Sequence, residues 1–153
     1  MRNFTMLSQS LTLGYISLKA LHLFGAILWF GGIITVAFAA VAFAKASEAG
    51  AIATLRNSAR LAPTLGLIAN WLGGLSIFIL NIDVWRSQGW VHAKILLVFI
   101  AAGLTGALTA DLKKIDEGKR EANPTKLQIF GGALVLLLIL TLYLAAFKPF
   151  VRG

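Results

Sequence analysis

The sequence predicts an all-α integral membrane protein in which four transmembrane helices form an up-down bundle. The chain has 153 residues, of which 58% are hydrophobic and only 13% are charged, whereas a soluble domain of this size needs more charged surface. The apolar residues also fall into blocks long enough to cross a bilayer core, which takes roughly 20 helical residues. We therefore treat residues 1–153 as one membrane domain.

The first span is predicted over about 18–44, because the run from Ala20 to Ala44 is apolar or small except for His22 and Thr35. This run is longer than the apolar region of a cleaved signal peptide, which has about 7–15 residues. Residues 1–17 are mixed in polarity, and we expect an interfacial helix or a frayed lead-in there.

The second and third spans are predicted over about 61–82 and about 91–110. Pro63 suits the first turn of the second span, and the small, basic segment 45–60 is expected to link it to the first. The polar link at 83–89 is short, so these two spans should be antiparallel neighbours.

The third helix is expected to continue past the membrane. Residues 111–122 are charged, and two pairs, Lys113 with Glu117 and Asp116 with Arg120, have the i,i+4 spacing that favours ion pairs on a helix. Asn123 is then predicted as the N-cap of the fourth helix and Pro124 as its first helical residue. The fourth span follows over about 127–147 and should end at Lys148-Pro149.

The net charge of +8 does not indicate nucleic-acid binding. The basic residues flank the apolar blocks, as they do in membrane proteins, and form no aromatic-interleaved groove. Four spans place both termini on one side of the membrane. The two links opposite the termini carry eight lysines and arginines (Lys45, Arg56, Arg60, Lys113, Lys114, Lys119, Arg120, Lys126), against six on the terminal side (Arg2, Lys19, Arg86, Lys94, Lys148, Arg152). We expect a bacterial inner-membrane protein whose termini are non-cytoplasmic.

The chain has only two histidines, His22 and His92. Each lies at the start of a span, and the first and third spans run in the same direction. With a rise of about 1.5 Å per residue, the two imidazoles should lie at nearly the same depth. Two imidazoles on parallel helices are a natural axial pair for a haem iron, so we predict one bis-histidine haem b with both histidines as metal ligands.

Neighbouring residues favour the same site. Gly25 and Trp29 share a helix face with His22 and offer a close approach and an aromatic surface to a flat macrocycle. Lys19, Arg86 and Lys94 belong to the same side of the membrane, where haem propionates need cations. The alternative for these residues is ordinary membrane packing, with glycines at helix contacts and lysines that extend to the headgroups. Asn70 and Thr141, the other polar residues inside spans, are expected to form interhelical hydrogen bonds.

The sequence offers few ligands for metals or cofactors other than haem. There is no cysteine, which excludes thiolate ligands, iron–sulfur clusters and covalent haem attachment. Asp83 and Asp111 lie at span ends, so no carboxylate is available inside the membrane for a di-iron site. The two methionines are near the amino terminus, and zinc prefers more ligands than two histidines supply.

Three short motifs resemble the HemJ family: K-A-L-H with W-F-G-G at 19–32, W-V-H-A-K at 90–94 and F-K-P-F at 147–150. That family consists of small four-helix membrane proteins that carry haem b and are linked to the oxidation of protoporphyrinogen IX. The first span also resembles short CopD-type membrane proteins. The resemblance implies that His22 and His92 hold haem and that Lys94 is the accompanying lysine. The residues expected to handle porphyrinogen have no counterpart here.

Three functions remain open from the sequence. The first is a b-type haem protein that passes single electrons, by itself or as a small subunit of a larger membrane complex. The second is an enzyme, a HemJ-like protoporphyrinogen IX oxidase, whose catalytic residues the sequence does not identify. The third is a haem-free accessory or CopD-like factor. Expected partners are membrane lipid and a redox partner or complex, with self-association also open, and no nucleic acid.

Overall fold

The computed structural model describes the backbone of residues 2–46 and 49–149, and it describes side chains within 12–46, 50–57 and 60–149. Every regular element in these ranges is helical. In chain order they are α1 (Arg2–Ala26), a π-helical turn (Ile27–Gly31), α2 (Gly32–Lys45), α3 (Ala49–Ala59), α4 (Leu61–Leu80), α5 (Ile82–Trp85), α6 (Gly89–Asp116) and α7 (Pro124–Phe147).

Four helical stretches of the described chain are long and apolar enough to cross a membrane: Thr12–Lys45, Gly50–Leu80, Gly89–Asp116 and Pro124–Phe147. This confirms the predicted all-α, four-span membrane fold. Within the bundle, α1 packs along α4, α2 packs along α7, and α6 packs along α7 and α3. The first span therefore lies between the second and fourth spans, and α6 lies across the bundle from it.

Glycines set the distance between α1 and α4. A Cβ built on Gly25 would strike the backbone of Asn70, and one built on Gly66 would strike the backbone of Trp29. The two helices therefore touch main chain to main chain, as small residues allow in membrane bundles. Further along the same contact, a Cβ on Gly73 would lie 2.8 Å from the His22 backbone nitrogen.

The π-helical turn interrupts the first span between α1 and α2. A π turn holds one more residue than an α turn and usually marks a functional position. It contains Trp29 and Phe30, which are almost fully buried. Their ring centroids are 4.6 Å apart, so the irregular turn places two large aromatic side chains in the bundle core.

The segment 45–60, predicted as a link, contains a helix. Helix α3 packs against α2 and α6, and it buries Ile52 in the core. Arg56 of α3 pairs with Asp116 at the end of α6. This helix covers one end of the bundle and joins the first span to the second by a packed element.

The end of α6 follows the sequence prediction only in part. The helix does continue to Asp116, and Lys113 lies 3.7 Å from Glu117. The predicted pair of Asp116 with Arg120 is wrong. Asp116 pairs instead with Arg56. The helix ends before Arg120, so the i,i+4 geometry that the prediction assumed is absent there.

Arg120 binds Asp111, a buried carboxylate whose other partner is the Lys126 amine at 2.7 Å. The cap of α7 is confirmed, because the Asn123 side chain accepts a hydrogen bond from the backbone amide of Lys126. The helix ends where predicted, with Lys148 in the left-handed region. The Thr141 prediction is wrong, because its buried hydroxyl has no hydrogen-bond partner among the described residues.

Candidate functional site

His22 is fixed in the bundle by α4. Its Nδ1 lies 2.9 Å from the carbonyl oxygen of Asn70. Because a carbonyl only accepts hydrogen bonds, Nδ1 carries the proton and donates. In the neutral imidazole the other ring nitrogen, Nε2, then keeps its lone pair. This tautomer is the one that can bind a metal through Nε2, and a backbone carbonyl on the other nitrogen is the usual support for a metal-bound imidazole.

Two glycines make room for the His22 ring. A Cβ on Gly74 would lie 2.9 Å from Cε1 and Nδ1 of the ring, and a Cβ on Gly73 would crowd the His22 backbone. The Gly73-Gly74 pair therefore holds the imidazole flat against α4. The sequence analysis missed these glycines, although Asn70, Gly73 and Gly74 are spaced to share one helix face.

The group that meets Nε2 comes from α6, and it is Lys94. The Lys94 Nζ lies 3.5 Å from His22 Nε2, at the outer limit of a hydrogen bond in which the lysine donates. Both side chains are partly buried. An amine and an imidazole that face each other inside a membrane bundle are unusual, because ionisable groups there are costly. Their position on facing helices makes them the centre of the candidate site.

His92 lies outside this centre. Its side chain is exposed, and its Nε2 lies 2.9 Å from the carbonyl oxygen of Arg86. The reason is helical geometry. Each residue turns the helix by about 100°, so side chains two positions apart point in nearly opposite directions. With Lys94 directed at His22, His92 must point away from it. The described structure thus brings His22 together with Lys94 and does not bring it together with His92.

Trp29 links the first span to α6 deeper in the bundle than the His22–Lys94 contact. Its side chain is fully buried, and its Nε1 donates a hydrogen bond of 3.1 Å to the hydroxyl oxygen of Thr105 on α6. The Thr105 hydroxyl in turn donates to the carbonyl of Ala101. Trp29 therefore forms a second link between the first span and α6, below the His22–Lys94 contact, and Thr105 is a contributor that the sequence analysis did not identify.

The remaining predicted site residues lie elsewhere. Gly25 faces the backbone of α4, which is the ordinary packing role that the sequence also allowed. Lys19 is exposed, with its amine 4.7 Å from the ring centroid of Tyr15. The Arg86 side chain is 70% exposed and lies 3.7 Å from Asp83. Neither cation contacts His22 or Lys94 in the structure.

Comparison with models of known protein families, with curated proteins and with solved structures finds no match for this chain. Within the described residues there is also no group of three or more histidine or carboxylate side chains that could hold a metal ion. The chemistry of the site must therefore be argued from His22, Lys94 and the groups that hold them.

Of the two histidines predicted as haem ligands, only His22 faces the bundle interior. The backbone carbonyl at its Nδ1 is the kind of support that an iron-binding imidazole has. His92, the second ligand predicted from the sequence, is held by the Arg86 carbonyl on the outer face of α6. The group opposite His22 Nε2 is the Lys94 amine.

Proposed function

We propose that this protein is a membrane haem b protein in which His22 is an iron ligand and single electrons pass through the bundle. The observation that carries the proposal is the hydrogen bond from His22 Nδ1 to the Asn70 carbonyl. It fixes the ring and directs Nε2, the nitrogen that carries the lone pair in the neutral imidazole, toward α6. Bound haem would supply reversible one-electron chemistry at its iron.

The chain's own residues would bind and orient the group and keep water away. Asn70 sets the tautomer of His22, and Gly73-Gly74 fixes the plane of its ring. Lys94 lies where a second ligand or a propionate partner is needed. Buried Trp29 closes the deeper side of the site toward the core. A site enclosed in this way suits electron transfer more than turnover of a large substrate.

A second residue to hold the haem would come from α6, with Lys94 as the first candidate and His92 as the second. Lys94 already faces His22 in the structure. His92 would have to leave the Arg86 carbonyl and reach the interior from the outer face of the helix. Its 2.9 Å contact with that carbonyl would be lost in the process.

The absorption spectrum of the purified, dithionite-reduced protein tests the proposal. Expression with ample haem supply should give a b-type spectrum, and His22→Ala should abolish it. If Lys94 is the second ligand, Lys94→Leu, which offers no ligand atom, should convert low-spin haem to high-spin while His92→Ala leaves the spectrum unchanged. The opposite result would assign His92. A colourless wild-type protein would contradict the proposal and favour the haem-free accessory function.

We also propose that the termini are non-cytoplasmic in a bacterial inner membrane. The excess of lysine and arginine in the two links that join the first to the second span and the third to the fourth supports this orientation. The His22–Lys94 site would then lie near the non-cytoplasmic face, where an electron partner outside the cytoplasm can reach it.

A further inference from the structure

A cleft separates α4 from α6 at the end of the bundle far from His22. Its volume is about 380 Å³. The basic side chains Arg56, Arg60 and Lys113 line one end of it, and Leu67 and Ala102 lie among its residues at the other end. The lining of α6 runs from Ala102 to Lys113, which spans roughly 16 Å at the helical rise of about 1.5 Å per residue. The cleft therefore extends from the membrane surface into the apolar region.

Two of the three cations are available to a ligand. Arg56 is already paired with Asp116. Arg60 is exposed and has no carboxylate partner among the described residues, while Lys113 lies 3.7 Å from a Glu117 oxygen. Glu117 has a closer partner, the Lys119 amine at 2.7 Å. The basic end of the cleft thus holds Arg60, which has no carboxylate partner among the described residues, and Lys113, which shares Glu117 with Lys119.

The floor of the cleft is open because α6 is lined there by small residues. Gly106 borders the cleft, and a Cβ built on it would meet no atom within 4 Å. An empty apolar groove beside a helix in a bilayer is filled by acyl chains. We call the basic end of the cleft its mouth and the apolar lining its floor. The mouth and the floor follow each other along the length of α6. This order matches a molecule that carries phosphate at one end and hydrocarbon at the other.

We propose that this cleft binds an anionic phospholipid, with the phosphate against Arg60 and Lys113 and an acyl chain along Gly106 and Leu67. Basic pockets between transmembrane helices bind acidic lipid headgroups in this way. A free phosphate would use the mouth alone and gain nothing from the apolar floor. The proposal does not depend on haem binding, because Arg60 and Lys113 lie at the opposite end of the bundle from His22; the cleft approaches the candidate site only at Thr105, which accepts a hydrogen bond from Trp29.

Binding to the delipidated full-length protein tests the proposal, measured by native mass spectrometry and by thermal stability. We expect phosphatidylglycerol to form a one-to-one adduct and to raise the melting temperature more than phosphatidylcholine does. Inorganic phosphate should do neither. The variant with both Arg60→Gln and Lys113→Gln should bind phosphatidylglycerol about thirtyfold more weakly. The matched control is Lys114→Gln, an exposed cation on the same turn that does not line the cleft.

A second pair of variants tests the floor. Gly106→Leu should fill the cleft and exclude the lipid, whereas Gly103→Leu, which also points into open space but does not line the cleft, should not. Equal binding of both phospholipids, or unchanged phosphatidylglycerol binding in Gly106→Leu, would overturn the proposal. Binding of inorganic phosphate that competes with the lipid and is lost in the double variant would assign the mouth to a small anion instead.

Discussion

At the scale of single residues, the site depends on which side chain of a helix turns inward. The sequence W-V-H-A-K at 90–94 contains both an imidazole and an amine, and only one of them can face His22. The matched depth of the two histidines predicts His92 as the partner of His22, with Lys94 beside the haem propionates. Hydropathy cannot decide between them, since both residues lie in the first turns of the span. The position of His22 itself, by contrast, could be predicted, because it is an isolated ionisable residue in an apolar run.

Lys94→Met tests the charge beside the site. The substitution keeps much of the side chain and removes the amine that lies 3.5 Å from His22 Nε2. If Lys94 pairs with a propionate and is not an iron ligand, its positive charge favours the reduced state, so the midpoint potential of bound haem should fall in the variant, by an amount on the order of tens of millivolts after solvent screening. Potentiometric titration of the two proteins measures the shift. An unchanged potential would mean that the Lys94 charge does not reach the iron.

Gly74→Ala tests the support of the His22 ring. The new Cβ would lie 2.9 Å from the ring atoms Cε1 and Nδ1, so the imidazole must move and its bond to the Asn70 carbonyl should weaken. We expect a lower ratio of haem to protein, measured by the pyridine haemochrome assay. Gly103→Ala is the control, because a Cβ there meets nothing within 4 Å. Equal haem loss in both variants would show that the effect is not specific to the ring.

At the scale of elements, the long helices could be predicted and α3 could not. The four spans have continuous apolar composition, which bilayer thickness converts directly into helix length. Segment 45–60 has few large apolar residues, and its helix is stabilised by tertiary contacts, such as burial of Ile52 and pairing of Arg56 with Asp116. Partners 60 positions away in the sequence cannot be read from local spacing, which is also why the Asp116–Arg120 prediction is wrong.

The joint between α6 and α7 depends on Asp111, a carboxylate that is 5% exposed and binds both Arg120 and Lys126. Asp111→Asn keeps the shape but removes the charge that holds these two cations, so we expect a loss of about 1–3 kcal/mol in the free energy of unfolding, at the lower end because both partners are half exposed. Unfolding in mixed micelles with increasing SDS measures it.

Asp83→Asn is the control for that measurement. Asp83 is 86% exposed at the side chain and lies 3.7 Å from Arg86, and an exposed pair of this kind contributes little to stability. Its unfolding should therefore match that of the wild-type protein. If Asp83→Asn and Asp111→Asn lost the same stability, burial of the Asp111 cluster would not be the cause of the loss.

At the scale of the whole molecule, the bundle has two polar ends of different chemistry. The end that holds the links 45–60 and 111–126 carries the basic cleft and the Asp111 cluster, and the other end carries the His22–Lys94 contact. Hydropathy predicted the spans that separate these ends. It did not predict the cleft, because the gap between α4 and α6 depends on small side chains on both helices and on how α3 packs over them.

The proposed orientation is testable because the chain has no cysteine. A single cysteine at Glu121, which is exposed in the link before α7, should resist an impermeant thiol reagent in intact cells if that link is cytoplasmic. A cysteine at Ser87, in the exposed link before α6, should react and serves as the control. Labelling of Glu121→Cys together with protection of Ser87→Cys would reverse the orientation and place the His22 site near the cytoplasm.

The π-helical turn at Ile27–Gly31 has a consequence for how such a protein can change over generations. Such a turn holds one residue more than an α turn, so deletion of a single residue there would restore a regular α-helix without shortening the span below membrane thickness. Because the extra residue lies within one wide turn, the helices on either side would keep nearly the same facing directions, and His22 would still face Asn70 and Lys94. The deletion would instead remove the wide turn that holds Trp29 and Phe30 side by side in the core. A descendant with that deletion would keep its hydropathy, its place in the bilayer and the His22–Lys94 contact while losing this aromatic pair.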